Sequence, residues 1–116
     1  MDATIYTMVR AADWRQAERT GEYHGSADDR RDGFLHFSAA GQLRASAAKH
    51  RAGEADLLLV AVKAAALGAA LRWEPAGSRP GLFPHLYGAL PLAAVASVTP
   101  LPLGADGRHV FPVEIP

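Results

Sequence analysis

One stretch of the sequence decides the predicted fold: Asp32-Gly33-Phe34-Leu35-His36-Phe37-Ser38. Its aromatic residues are typical of a half-buried β-strand. Because the side chains of a strand alternate between two faces, we expect Phe34, His36 and Ser38 on one face and the odd-numbered residues on the other. An imidazole and a hydroxyl on a buried face cost about 1–3 kcal/mol each unless they find hydrogen-bond partners. The stretch therefore indicates a site, with protein, water or ligand as the partner.

A second stretch repeats this mixture of aromatic and hydrogen-bonding residues: Phe83-Pro84-His85-Leu86-Tyr87-Gly88. Either histidine alone is explained as well by a structural role as by a ligand contact. Together, His36, Ser38, His85 and Tyr87 place four hydrogen-bonding groups on two aromatic-rich segments, which predicts the lining of a pocket. A neutral imidazole offers one donor and one acceptor, which suits ribose hydroxyls or proton transfer near pH 7.

Length and composition predict one globular domain over residues 1–116. The chain is 49% hydrophobic and 21% charged, and its 12 basic and 12 acidic residues cancel. This balance gives no indication of a nucleic-acid partner. The absence of cysteine excludes disulfides, thiolate nucleophiles and cysteine-ligated metals. The sequence has no signal-peptide pattern and no apolar run long enough for a bilayer, so we expect a cytoplasmic protein. The oligomeric state is left open.

Local signals along the chain predict an α+β fold with two main helices. The first helix is expected to have Asp13 as its N-cap and to end at Gly21. The second is expected to follow Ser38, a predicted N-cap, and to run from Ala39 to about His50. The predicted strands dominate the second half and lie at 5–9, 32–38, 56–62, 71–74, 96–99 and 109–111. There is no regular βαβ alternation, so a doubly wound sheet is not expected.

The polar segment 22–31 predicts a solvated loop, because glycine, serine and aspartate are frequent in it. The alternative is a rim beside the site, from which Tyr23 and His24 would reach a ligand. A further candidate is Glu74, which follows Trp73 at a predicted strand end. It is either a surface charge or a catalytic carboxylate that faces the pocket.

The spacing of the histidine, aspartate and serine residues argues against a metal site and against a catalytic triad. The histidines, at 24, 36, 50, 85 and 109, form no His-x-His or His-x₃-His pair, so we predict no metal site. Asp28, Asp29 and Asp32 lack the spacing of a calcium loop and are interpreted as turn formers. A triad of Ser38, His36 and Asp32 is poor, because Ser38 and His36 share one predicted strand and the chain has no Gly-x-Ser-x-Gly elbow.

The ordered motifs resemble those of a small bacterial family, the domain-of-unknown-function family 952. The resemblance covers about residues 4–100 and is carried by Asp32-Gly33-Phe34-Leu35-His36-x-Ser38 and Phe83-Pro84-His85-Leu86-Tyr87-Gly88. Further matches in the same order are Trp14, Ala17, Gly21, Tyr23, Gln42, Trp73-Glu74 and Ala94-Val95.

The resemblance implies an ADP-ribosyltransferase-like fold, a split and mostly antiparallel sheet with an NAD cleft between its halves. It implies that His36 and Ser38 contact the ribose of NAD, and that Tyr87 or His85 packs near the nicotinamide. Many active members of that superfamily add a glutamate on a late strand. No such motif is present here, and Glu114 lies among prolines. The tRNA 2′-phosphotransferase branch lacks that glutamate, so its absence argues against protein ADP-ribosylation more than against NAD chemistry.

The leading hypothesis is therefore that a cleft binds NAD or a related nucleotide, with ADP-ribosyl or glycosyl transfer as the activity. Its catalytic candidates are His36, His85 and Glu74, and its cofactor contacts are His36, Ser38, Tyr87 and Tyr23. The rival is a non-catalytic domain on the same scaffold that binds another small ligand or a protein. The two differ in whether the motif side chains converge on an open cleft or are satisfied by each other and by the backbone.

Overall fold

The computed structural model describes residues 3–113 and Ile115. Within these residues the chain forms three α-helices, α1 (Ala11–Thr20), α2 (Ala27–Asp32) and α3 (Ala40–His50). The strands of the same residues are β1 (Thr4–Arg10), β2 (Glu22–Tyr23), β3 (Leu35–His36), β4 (Ser38–Ala39), β5 (Leu57–Lys63), β6 (Leu71–Pro75), β7 (Leu82–Leu86), β8 (Leu90–Pro91) and β9 (Val95–Leu101). Two 3-10 helices, Ala64–Ala70 and Leu92–Ala94, precede β6 and β9. The α+β class predicted from the sequence is confirmed.

The largest sheet has the strand order β4-β1-β5-β9, and its pairings are antiparallel. Its central strand β5 carries the near-continuous apolar run LLLVAVK. Side chains of β1 and β5 alternate between two cores, so that Ile5 and Val60 pack on one side and Met8 and Leu59 on the other. The predicted central strand over 56–62, covered on both faces, is confirmed.

The two longer helices belong to different cores. From α1, Trp14 and Ala17 join the core of Ile5 and Val60, whereas α3 adds Leu43 to the core of Met8 and Leu59. Each helix therefore covers the apolar side chains of one face of the sheet. Among the described residues no helix is long and apolar enough to cross a membrane.

A second sheet, with the order β3-β7-β6, brings the two motif stretches together. In its antiparallel register His36 lies opposite His85, and Leu35 lies opposite Leu86. Opposite residues of an antiparallel pair lie on the same face, with their Cβ atoms about 5 Å apart. The two histidines, far apart in sequence, are thus neighbours in the fold. A small third sheet pairs β2 with β8.

The predicted strand over 32–38 is only partly correct. Gly33 ends α2 with a positive φ of 86°, and its amide donates to the Asp29 carbonyl oxygen. The strand begins at Leu35, and the chain then changes sheets at Phe37, because β3 pairs with β7 and β4 pairs with β1. The Phe37 amide donates to the carbonyl oxygen of Pro84 at this crossing. The simple alternation of faces expected from 32 to 38 is therefore interrupted.

The predicted loop over 22–31 is wrong for its second half, which forms α2. The Ser26 hydroxyl accepts from the Asp29 amide at 3.3 Å, and the Asp29 carboxylate accepts from the Ser26 amide at 2.8 Å. This reciprocal cap satisfies two donors at the start of the helix. A short polar helix with no apolar stripe gives no periodic signal, so composition alone indicated a loop.

Two predicted N-caps are also wrong, whereas both helix ends are confirmed. α1 starts before Asp13, because the Ala11 amide donates to the Asp56 carbonyl oxygen at 2.8 Å and needs no capping side chain. α3 starts after Ala39, whose amide donates to the Gln42 side chain at 2.9 Å. Gly21 and His50 are the ends predicted for α1 and α3.

The predicted last strand over 109–111 is reduced to one bridge, between Leu103 and His109. The His109 ring is held instead by the Glu54 carbonyl oxygen, 2.8 Å from Nε2. Glu114, the tail carboxylate weighed against a late-strand motif, lies outside the described residues.

Gly25 is the glycine at which a side chain has no room. Its φ is +99°, and a Cβ would lie 2.6 Å from Leu35 Cδ2 and 2.7 Å from Asp29 Cβ. We expect Gly25→Ala to lower the free energy of unfolding in urea by about 1–3 kcal/mol, because backbone strain and a clash add. Gly41→Ala is the control, since nothing lies within 4 Å of its Cβ position in α3. Equal stability of the two variants would contradict the close packing at Gly25.

Candidate functional site

An open cleft of about 410 Å³ is lined by both larger sheets. The large sheet contributes β1 and Ser38, and the second sheet contributes His36, Phe83 and His85. The remaining walls come from α2, from the C-terminal half of α3 and from the loop after β6. The cleft therefore lies where the chain changes sheets, beside both motif stretches.

His36 is held between two carboxylates of α2. Its Nδ1 lies 2.6 Å from Asp29 Oδ1, and its Nε2 lies 3.0 Å from Asp32 Oδ2. Asp29 is 7% exposed and also accepts from the His36 amide at 3.0 Å. The imidazole thus fixes the side of α2 that faces β3.

The pKa shifts of His36 and Asp29 favour the charged form of both side chains. The hydrogen bond to Asp29 raises the pKa of His36 above its ordinary value, although burial opposes the rise. Burial alone would raise the pKa of Asp29, but hydrogen bonds from the His36 ring and from the Ser26 and His36 amides outweigh it, so that pKa is lowered. The pKa of Asp32 is lowered by its hydrogen bond to Arg31. Because a carboxylate oxygen only accepts, contacts at both ring nitrogens favour the protonated ring over the neutral ring considered from the sequence.

His85 is held differently. It is 4% exposed, its Nδ1 lies 2.9 Å from Glu74 Oε1, and the Tyr87 hydroxyl donates to the same oxygen at 2.7 Å. Nε2 has no hydrogen-bond partner within residues 3–113 and Ile115. In that part of the chain every fully buried side-chain nitrogen and oxygen has a partner, so Nε2 keeps some exposed surface on a ring that lines the cleft. The ring therefore presents one free nitrogen to any ligand there.

Phe34 packs the two histidines together. Its ring centroid lies 4.0 Å from that of His85, nearly parallel, and 4.6 Å from that of His36. The same ring lies 5.3 Å from Tyr87. Phe34 is half-buried and lines the cleft. It thus fixes both imidazoles and offers an apolar surface beside them.

The sequence-predicted site residues separate into three groups. His36, Ser38 and His85 line the cleft. Glu74 and Tyr87 do not line the cleft; both hydrogen-bond within the group that holds His85, and Tyr87 also packs on Phe34. Tyr23 is 4% exposed and packs on Trp14 in the core, where burial raises its pKa, so its ring does not reach the cleft.

Other predicted contacts do not form a site. His24 is exposed beside Glu22 and does not line the cleft. Ser38 donates to the Ser46 hydroxyl at 2.8 Å instead of capping α3. Within the described part of the chain, no group of three or more histidine, aspartate or glutamate side chains is arranged to hold a metal ion.

Sequence reasoning missed Asp29, Ser46 and Arg79. Asp29 carries a readable signal, since Ser26-x-x-Asp29 has the spacing of a capping box. Ser46 and Arg79 carry none, because only the tertiary fold brings the last turns of α3 against the loop after β6. The Arg79 guanidinium donates to the Ser46 hydroxyl at 3.1 Å.

Residues 8–98 match a protein family described as "Protein of unknown function (DUF952)". The chain belongs to the DUF952 family. The crystal structure of protein CC0527 from Caulobacter crescentus is 41% identical, has a TM-score of 0.87, and the match covers 92% of this chain and 93% of that one. Its solution NMR structure is 42% identical, with a TM-score of 0.81 and 90% of each chain covered. No curated protein gave a match.

The family match over residues 8–98 confirms the family inferred from the two motifs. At this identity and coverage the CC0527 structures also support the α+β fold with mostly antiparallel sheets. Neither the family name nor that of CC0527 indicates a ligand or a reaction. Chemical interpretation of the cleft therefore depends on the side chains of this chain.

Asp29 should contribute to stability far more than its neighbour Asp28. Asp29→Ala leaves the amides of Ser26 and His36 without acceptors, so we expect the free energy of unfolding to fall by about 1–3 kcal/mol. Asp28→Ala is the control, because that exposed carboxylate only pairs with Arg31 and should change stability by about 0.5 kcal/mol or less. Urea unfolding of both variants measures the difference. A loss at Asp28 as large as that at Asp29 would contradict the cap.

Stability should also depend on pH through His36. Its pKa is raised from 6.5, so the stabilisation is complete below that value and is lost as pH rises through the raised one. The pKa of Asp29 is lowered from 3.8, so its contribution is lost only as pH falls below that value.

We therefore expect the urea midpoint to fall as the pH rises above 6.5, and to fall less in His36→Gln. His24→Gln, which removes an exposed histidine, should keep the wild-type dependence. Identical pH profiles for wild type and His36→Gln would show that the imidazolium does not stabilise the fold.

Proposed function

We propose that the cleft binds NAD or a related nucleotide, on an ADP-ribosyltransferase-like scaffold. The observation that carries this proposal is the convergence of Phe34, Ser38 and His85 from both motifs on one open cleft. The cleft lies between two antiparallel sheets, the arrangement that the motif resemblance implies for an NAD site. Its volume of about 410 Å³ falls in the range of small-molecule sites.

The chemistry of the walls suits a ligand that is part aromatic and part polar. Phe34 presents a ring surface, and the buried hydroxyls of Ser38 and Ser46 lie on the same cleft. The free Nε2 of His85 is the group best placed to contact a ribose hydroxyl, since His36 has both nitrogens occupied. This changes the assignment of roles, so that His85 is the leading ligand contact and His36 a positioning residue.

His85 is also the leading acid/base candidate. Glu74 accepts from Nδ1–H and fixes the tautomer in which Nε2 carries a lone pair. A neutral Nε2 can take a proton from a hydroxyl held in the cleft. Glu74 acts through His85, and Tyr87 steadies the same carboxylate oxygen.

The reaction would be glycosyl transfer at the nicotinamide ribose. The bond from ribose C1′ to the nicotinamide nitrogen breaks, and its electron pair leaves with neutral nicotinamide. An acceptor hydroxyl, water in the simplest case, forms the new bond to C1′ and gives its proton to His85 Nε2. With water, NAD yields ADP-ribose, nicotinamide and a proton. Fixed groups around the oxocarbenium-like state would favour this step.

A second candidate function, a non-catalytic binding domain, has specific support. His36 is satisfied by Asp29 and Asp32, and Ser38 has Ser46 as a partner. His85 and Tyr87 share Glu74 as a partner, so each of the four motif side chains has a hydrogen bond within the protein, as expected of a structural network. On this alternative the cleft still binds a small ligand, but without turnover.

The test is a titration of the isotope-labelled protein with NAD, ADP-ribose and nicotinamide, following backbone amide shifts. We expect saturable shifts at residues 33–38 and 83–88. His85→Asn keeps a donor near the Nδ1 position and removes Nε2, so affinity for NAD should fall about 3–10-fold, the effect of one hydrogen bond. His85→Gln is the matched variant, because its amide places a polar atom nearer Nε2, and it should lose less.

Nicotinamide release, measured by chromatography, separates the two candidate functions. Release by wild type but not by His85→Asn supports transfer, whereas binding without release supports the non-catalytic domain. An absence of shifts with all three ligands at about 10 mM would mean a binding free energy weaker than about 3 kcal/mol. That result would contradict nucleotide binding.

A further inference from the structure

Two buried serine hydroxyls line the cleft, and the described residues accept a hydrogen bond from only one of them. Ser38 and Ser46 are each 5% exposed, and their oxygens lie 2.8 Å apart. Arg79 Nη2 lies 3.1 Å from the Ser46 oxygen and can only donate. One hydroxyl donates to the other, and the second hydroxyl proton then has no acceptor among the described residues, whichever way the pair is oriented. The site lacks an acceptor.

The cations beside these hydroxyls also lack an anion. The Arg79 guanidinium lies 4.2 Å from the Phe83 ring centroid and lines the cleft, and it has no carboxylate partner within residues 3–113 and Ile115. Lys49 lies one turn after Ser46 on α3, on the same face, and it too lacks a carboxylate there. Other cations of the cleft differ, since Arg31 pairs with Asp28 and Asp32.

The positive charges of Lys49 and Arg79 act on the neighbouring side chain of His50. The pKa of His50 is lowered, first by burial and then by the charges of Lys49 and Arg79. The carbonyl end of α3 is weakly negative and opposes an anion here, but a helix end carries about half a charge against two full cations.

We propose that this wall, formed by Ser46, Ser38, Lys49 and Arg79, is an oxyanion site that takes the phosphate group of a phosphorylated ligand. A phosphate offers several oxygens that accept from different directions, which matches a hydroxyl, a guanidinium and an ammonium. A guanidinium held by Ser46 and stacked on Phe83 is preorganised for that role. The inference deepens the proposed nucleotide function, on which it rests for the rest of the ligand.

The experiment uses inorganic pyrophosphate as the probe and the isotope-labelled protein. We expect saturable amide shifts at Ser46, Lys49 and Arg79 in wild type. Arg79→Gln should weaken pyrophosphate binding about tenfold or more, the effect of one charge-assisted hydrogen bond. Ser46→Ala should weaken it about threefold to tenfold. Amide spectra of each variant without ligand establish that it is folded.

Arg31→Gln is the matched control, because it removes the same charge from the same cleft at a cation already paired. Its affinity for pyrophosphate should stay within about twofold of wild type. Equal losses in Arg31→Gln and Arg79→Gln would overturn the site, since they would reflect net charge alone. Absence of saturable shifts in wild type at about 10 mM would overturn it as well.

The two proposals fail separately. If NAD binds wild type and Arg79→Gln equally, the phosphate site is wrong and nucleotide binding stands. If pyrophosphate binds in an Arg79-dependent way while NAD and ADP-ribose give no shifts, the phosphate site stands and the nucleotide assignment is wrong.

Discussion

The buried carboxylate of Asp29 is the group on which the arrangement of the cleft depends. It accepts from the Ser26 amide, from the His36 amide and from the His36 ring, and so joins the start of α2 to β3. A carboxylate this buried is stable as an anion only when such donors surround it. The same contacts hold His36 opposite His85 in the ladder. One side chain thus couples a helix cap, a strand position and the charge state of an imidazole.

The two histidines illustrate how the surroundings separate like residues into unlike roles. His36 is flanked by carboxylates at both nitrogens, which occupy the ring in contacts within the protein. His85 has one carboxylate, which leaves its second nitrogen to the cleft. Aromatic packing on Phe34 is common to both, although His85 is buried and the His36 side chain is 40% exposed. The number of acceptors, rather than the depth of burial, decides which ring is available for chemistry.

Sequence reasoning recovered what short-range patterns encode. The apolar run of β5, the C-terminal glycine of α1 and the position of His36 and His85 beside one cleft followed from periodicity, turn chemistry and composition. Predictions from the sequence were wrong or incomplete where contacts between distant segments determine the structure. The start of α1 depends on the distant Asp56 carbonyl oxygen, and the cleft neighbours Ser46 and Arg79 meet only in the folded chain. Tyr23 was predicted to contact a ligand because its segment is polar overall, but its ring is buried in the core.

The loop between β6 and β7 supplies Arg79 to the cleft while most of its residues are exposed. It joins two adjacent antiparallel strands, whose pairing is set by their own ladder rather than by the loop. Changes in the length or composition of such a connection cost little stability. Substitutions in this one short connection can therefore change the charge and shape of a cleft wall while the sheets and both cores stay unchanged.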